Sequence, residues 1–146
     1  MKKIFIAADH RGYELKSHLK NYLSGMGYFV FDCGNVNNDP QDDYPDFAHK
    51  VAEEVQKDTN SLGVVICGTG IGVSIAANKH KGIRSAVAHS KEEIKAAREH
   101  NMINVLAISA NNTDNKQAEQ FVDVFLNSDK SNDERHARRV QKIDLA

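Results

Sequence analysis

The chain has no tryptophan, two prolines and two cysteines. Two cysteines cannot make the disulfide framework of a small secreted domain, and a reducing cytoplasmic location is the expectation. Neither sign of charge prevails: 19 Lys and Arg stand against 20 Asp and Glu, for a formal net charge of -1. That balance gives no global attraction to nucleic acid or to an anionic membrane surface, so neither is expected as a partner. No apolar run approaches the length of a membrane span. The N-terminal Met1-Lys2-Lys3 resembles a signal peptide only in its lysines, because the apolar stretch after it is short and ends on Asp9-His10. Internal repeats, low-complexity tracts, H-E-x-x-H and paired C-x-x-C motifs are all missing, which leaves a metal site without support. What remains is 146 residues, 40% hydrophobic and 27% charged. That is the composition of one globular domain over 1–146, large enough for its own core.

Strand-like and helix-like segments alternate along it. The strand candidates are about Lys3–Ala8, Tyr28–Asp32, Leu62–Cys67, Arg84–Ala88 and Val105–Ser109. They are short and rich in Val, Ile and Phe with little polar alternation, as strands buried on both faces of a parallel sheet are. Between them, Tyr13, Leu15, Leu19, Tyr22 and Leu23 repeat at helical spacing and stop at Gly25-Met26-Gly27. Phe47, Val51 and Val55 form a second stripe, with Pro45 near its start and Lys57-Asp58 near its end. Ser90 with Glu93 reads as a capping box, and a further helix runs from about Asn115 to Leu126. The polar tail from Ser128 to Arg139, followed by a last apolar turn, is expected as a terminal helix that packs late or on a neighbour. The order is that of a doubly wound, three-layer α/β/α (Rossmann-like) domain with a parallel sheet.

In such folds ligands gather at the carboxyl ends of the strands. The first candidate strand ends on Asp9-His10 and the third on Cys67, followed by Gly68-Thr69-Gly70-Ile71-Gly72 and a helix-like pattern from about Ser74. A Gly-rich turn at a helix N-terminus bares backbone N–H groups to an oxyanion or a phosphate, and it favours a thiolate beside it. Named phosphate motifs fail by spacing. Val73 stands where G-x-G-x-x-G needs its last glycine and where a C-x5-R loop needs its arginine, and Thr69 stands where a Walker loop needs lysine. A thiol acting as general base beside an oxyanion-binding turn survives the elimination.

Ala8-Asp9-His10-x-Gly12, Asp43-Tyr44-Pro45, Ile66-Cys67-Gly68-Thr69-Gly70-Ile71-Gly72, Ala76-Ala77-Asn78-Lys79, Gly82-Ile83-Arg84, Glu99-His100-Asn101, Asn104-Val105-Leu106 and Arg135-His136-x-x-Arg139 fall in order along the chain. Together they closely resemble the type B ribose-5-phosphate isomerases, within a wider group that includes galactose-6-phosphate isomerase subunits. The resemblance covers essentially the whole chain. It implies a five-stranded parallel sheet of order 2-1-3-5-4. It also implies a cofactor-free, metal-free aldose–ketose isomerase of the non-oxidative pentose phosphate pathway, acting as a homodimer or homotetramer with active sites at the subunit interface.

Interconverting ribose 5-phosphate and ribulose 5-phosphate through a cis-enediolate moves a proton between C2 and C1. It needs a base, an anion hole, a group that opens the furanose and a phosphate anchor. By resemblance Cys67 is the base, and Val73 marks the chain as the cysteine type, because relatives without the cysteine carry Glu at that position. Backbone N–H groups over Gly68, Gly70, Ile71 and Gly72 would hold the enediolate, a contribution of several kcal/mol, with the Thr69 hydroxyl near O1 and O2. Asp9 and His100 match the ring-opening pair, and Asn101 accompanies His100. Arg135 and Arg139 match the phosphate clamp, suited by the bidentate guanidinium fork, and His10 is a further phosphate ligand. The tail arginines and His100 would serve a partner chain's Cys67. In one place the chain departs from the pattern: where many relatives carry an arginine after the fifth strand it reads Ser109-Ala110-Asn111-Asn112, and Arg11 replaces the usual small residue after Asp9-His10. Arg11 is therefore expected to supply part of the missing charge.

The plainer readings are a core cysteine at 67, a capping role for Asp9 and a solvated face for the arginines. Cys33 has no such context and reads as structural. Two alternatives to the five-carbon isomerase stay open: an isomerase of a six-carbon sugar phosphate such as allose or galactose 6-phosphate, and a non-enzymatic sensor of phosphate ligands. A redox role for the thiol lacks a resolving cysteine at C-x-x-C spacing.

Overall fold

The β-branched run Leu62–Cys67 forms β3, the middle strand of a five-stranded parallel sheet, in a computed structural model that describes residues 2–145. In chain order the elements are β1 (Lys3–Ala8), α1 (Tyr13–Gly25), β2 (Phe29–Asp32), α2 (Tyr44–Lys57), β3, α3 (Ile71–Asn78), β4 (Ser85–Val87), α4 (Lys91–Asn101), β5 (Val105–Ser109), α5 (Asn115–Asn127) and α6 (Glu134–Ile143). The strands lie in the order β2-β1-β3-β5-β4, as the resemblance implies. Every pairing is parallel, with Ala8 opposite Ile66 and Cys67 opposite Ser109.

The pleat sorts the strand side chains between two helical layers, because successive residues point to opposite faces. Ile4, Ile6, Val64, Ile66, Leu106 and Ile108 pack with α1, α4 and α5. Phe5, Ala7, Val65, Cys67, Val105 and Ala107 pack with α2 and α3. Cys67 thus ends its strand on the α3 side of the sheet. Gly63 lets α2 pack close on that face, since a Cβ there would stand 2.6 Å from Val51.

Burial on both faces holds for β1, β3 and β5 but not for β2. Val30 faces the core beneath α1, whereas Phe29 and Phe31 are 57% and 45% exposed. The strand lies at the sheet edge, and Phe31 stacks on Phe5 with ring centroids 5.3 Å apart. An acidic side chain ends it: Asp32 accepts from the buried Lys16 Nζ (2.9 Å) and from Lys20 Nζ (2.6 Å), tying the edge to α1. β4 is shorter than expected, three residues rather than five.

Ser90 caps α4 as its sequence suggests, accepting from Glu93 N–H at 3.1 Å. The tail helix α6 starts later than its polar composition suggests, at Glu134 under an Asp133 cap, and packs on α4 of its own chain. Arg84 holds its far end through Asp144 at 3.0 Å. Among the described residues no helix is long and apolar enough to cross a membrane.

Candidate active site

The chain leaves β1 toward β2 on one side and returns as β3 on the other, so the crevice where ligands collect in open α/β sheets opens at the carboxyl ends of these two strands. Backbone bonds lace the strand ends beyond the sheet: Asp9 N–H to Ile66 O (3.2 Å), Ala110 N–H to Cys67 O (2.9 Å) and Asn111 N–H to Gly68 O (3.0 Å). Asp9, Cys67 and the Gly68 turn are therefore held against one another by the ladder that makes the sheet.

The turn doubles back because Gly70 adopts φ +76°, and a Cβ there would stand 3.0 Å from the Ile108 carbonyl carbon. This brings the Gly70 N–H onto Cys67 Sγ at 3.2 Å. Cys67 is 5% exposed, so the plainer reading of it as a core residue also describes its packing. The next amide, Ile71 N–H, donates to Thr69 Oγ1 at 3.2 Å. Two of the amides expected to hold an oxyanion are thus engaged inside the turn. The helix begins at Ile71, earlier than its hydrophobic pattern suggests, and its first helical bond runs from Ser74 N–H to Gly70 O. Gly72 falls in the first helical turn with Tyr44 against it: a Cβ at 72 would lie 2.5 Å from the tyrosine ring. Tyr44 is thereby a wall of the site that sequence reasoning did not assign, although its Asp43-Tyr44-Pro45 motif was visible.

Asp9 Oδ1 accepts from Arg11 N–H (3.0 Å) and Gly12 N–H (3.2 Å), capping a single 3-10 turn over His10–Gly12. Burial pushes its carboxyl above the ordinary carboxylate range, against the pull of those two N–H groups and of His10. The Arg11 side chain reaches from the end of β1 to the end of β5, where Nη2 donates to Asn111 Oδ1 at 3.2 Å. On the way it passes over Gly68, where a Cβ would stand 3.1 Å from Arg11 Nε and 3.2 Å from Asn111 Nδ2. Ligand atoms of Asp9, His10 and Asp42 lie within 4.8 Å of one another. Their oxygens already accept N–H bonds from residues 10 to 12 and from Asn35, so the three form a hydrogen-bonded network.

His100, Asn101, Arg135 and Arg139 are elsewhere. α4 runs antiparallel to the strands, so its last residues lie at their amino ends, where Asn101 O accepts from Arg84 Nε at 3.0 Å. β3 alone separates that edge from Cys67 by roughly 16 Å. The His100 ring stacks on His136 of α6, with centroids 4.2 Å apart and planes 12° from parallel. On the exposed face of the same helix, Arg135 pairs with Asp133 at 2.7 Å. One chain therefore keeps the candidate residues in two separate groups: Asp9, His10, Arg11, Cys67 and Thr69 at the carboxyl ends of the strands, and His100 with the arginines at the amino ends. The thiol of Cys33 is pushed up to about 11, by burial first and then by Glu54 and Asp32, as suits a structural cysteine.

Residues 4–143 match the model of a family described as Ribose/Galactose Isomerase. The chain belongs to that family. It is 43% identical over 140 residues to a probable ribose-5-phosphate isomerase B of Mycoplasma pneumoniae, covering 96% of this chain and 91% of the relative. It is also similar to the solved ribose 5-phosphate isomerase B of Anaplasma phagocytophilum, at TM-score 0.92 and 44% identity, covering 98% of this chain and 97% of that one. A third relative is the ribose-5-phosphate isomerase B of Mycoplasma genitalium, solved with bound ribulose-5-phosphate, at TM-score 0.94 and 41% identity over 98% and 94% of the two chains. The five-stranded order and the terminal helix are thus family architecture.

Proposed function

We propose that the chain interconverts ribose 5-phosphate and ribulose 5-phosphate through a cis-enediolate, with Cys67 as the base and no cofactor. The observation that carries the reading is the Cys67 sulfur at the crevice between β1 and β3, with the Gly70 N–H on it and the buried Asp9 carboxyl beside the same strand ends. The thiolate takes the C2 proton and returns it to C1. Amides of the turn and the Thr69 hydroxyl face the oxygens on which charge develops. Asp9 hydrogen-bonds the sugar during ring opening, and His10 and Arg11 meet the phosphate. A second copy of the chain supplies His100, Asn101, Arg135 and Arg139, so the working form is a homo-oligomer. Ile71 and Ile75 on the outer face of α3, 55% and 56% exposed, support such an interface beside the site.

The test is turnover of ribose 5-phosphate by the purified chain in EDTA, with allose 6-phosphate alongside. Turnover of the five-carbon sugar supports the proposal. Turnover of the six-carbon sugar alone moves the assignment to the longer substrate, and binding without turnover of either leaves a phosphate sensor.

Two further outcomes are expected. Arg11→Ala raises KM for ribose 5-phosphate at least several-fold, because the guanidinium tied to Asn111 is the cation of this strand edge; an unchanged KM removes Arg11 from the phosphate site. Asp9→Asn keeps an oxygen for the two capping N–H groups but loses the carboxyl that hydrogen-bonds the sugar during ring opening, so kcat falls by about 100-fold. The stability effect has the opposite sign. A carboxyl whose folded value is raised above the unfolded 3.8 contributes stability below that pH and loses it as pH rises through the folded value. Thermal melts near pH 8 should therefore show Asp9→Asn no less stable than wild type. A clear loss there would mean the carboxylate itself holds the turn.

A further inference from the structure

The loop between β2 and α2 delivers a carboxylate that the proposed reaction does not use. The Asp42 side chain is 6% exposed. Its Oδ1 accepts from the His10 backbone N–H at 3.2 Å and lies 2.7 Å from His10 Nδ1, while its Oδ2 accepts from Asn35 Nδ2. Asn35 is itself fastened to the end of β1, its N–H donating to Ala8 O at 2.7 Å. The carboxylate is thus anchored independently of the imidazole it meets.

A carboxylate only accepts, so the contact puts the ring proton on Nδ1. The other ring nitrogen, Nε2, makes no hydrogen bond among the described residues, and the side chain is 34% exposed. We infer that Asp42 is a positioning residue, which grips His10 through Nδ1–H so that Nε2 faces the phosphate end of the substrate. The ligand's identity rests on the isomerase reading, but the grip does not. With Nδ1 fixed as donor, Nε2 accepts from a hydroxyl when the ring is neutral and donates to a phosphate oxygen when it is protonated. An asparagine at 42 offers Nδ1 either an acceptor or a donor and no longer selects between the tautomers.

The test combines imidazole 15N NMR of the unliganded protein with kinetics on ribose 5-phosphate. It uses wild type, Asp42→Asn, His10→Asn and the double variant. His10 is expected in the Nδ1–H form in wild type and as a tautomer mixture in Asp42→Asn. KM should rise about tenfold in Asp42→Asn with kcat within about twofold, the scale on which outer partners of a ligating histidine act. In the His10→Asn background the same substitution should change KM less than about twofold. Asp42→Glu, still an acceptor only, should keep the Nδ1–H form. Equal effects in both backgrounds, or a His10 ring unaltered in Asp42→Asn, overturn the inference. If wild type does not turn over ribose 5-phosphate, the isomerase reading falls, and the NMR arm still decides whether Asp42 holds the ring.

Discussion

Cys67→Ala is expected to lower turnover of ribose 5-phosphate by about 1000-fold or more while the protein stays folded, since a positioned acid–base group contributes roughly 10²–10⁴. The bonds of the turn single out the sulfur: the Gly70 N–H is on it, the Thr69 oxygen is occupied by Ile71 N–H, and the Ser109 hydroxyl is spent on Gly68 O at 2.8 Å. The competing view, that Cys67 only fills the core beside Val65, Val73 and Ala107, predicts a different pattern. Removing one buried sulfur would then cost on the order of 1 kcal/mol of stability and leave kcat alone. Cys67→Ser separates the two further, because a hydroxyl of similar size is a poor base near neutral pH. Steady-state assays and thermal melts on both variants read the difference. Near-wild-type kcat in either one would remove the thiol from the chemistry.

The second large effect concerns a site made of two chains. Equal amounts of Cys67→Ala and His100→Ala, each inactive alone, should regain about one quarter of wild-type activity after unfolding and refolding together. Random pairing makes about half of the dimers mixed, and each mixed dimer has one site with both residues intact and one with both missing. The expectation follows from topology. β3 runs from the edge near Asn101 to the edge at Cys67, and α4 returns the chain to the starting edge before His100 is reached. The mixture is read by activity, and by sedimentation to confirm assembly. Activity of His100→Ala near wild type, or no recovery on mixing, would show that His100 does not complete a neighbour's site.

β1, β3 and β5 were legible because strands buried on both faces need unbroken apolar runs, and Ile4–Ala8, Val64–Cys67 and Val105–Ile108 supply them. β2 misled for the same reason. Phe29 and Phe31 are as apolar as core residues, and nothing local records that α1 covers only the opposite face of that edge strand. The start of α3 was displaced because two features share Gly70 to Gly72: a left-handed cap at Gly70 and a helical Gly72 kept small by the Tyr44 ring. In the site, Asp9, Cys67 and Thr69 could be placed at strand ends from their neighbours in sequence. The contacts that orient them span long stretches of chain and have no local signature. Asp42 meets His10 across 32 residues, and Arg11 meets Asn111 across 100. The Arg11 link joins the two positions at which the sequence departs from the family pattern. The stacking of His100 on His136 was likewise unreadable, since it depends on how α6 lies on α4.

Isomerisation of ribose 5-phosphate in D2O with EDTA present, with the product read by NMR, tests the central claim most directly. A thiolate that takes the C2 proton and exchanges it with solvent predicts turnover with deuterium at C1 of ribulose 5-phosphate, and loss of both turnover and label in Cys67→Ala. Turnover or labelling that persists in Cys67→Ala would contradict an enediolate route through Cys67.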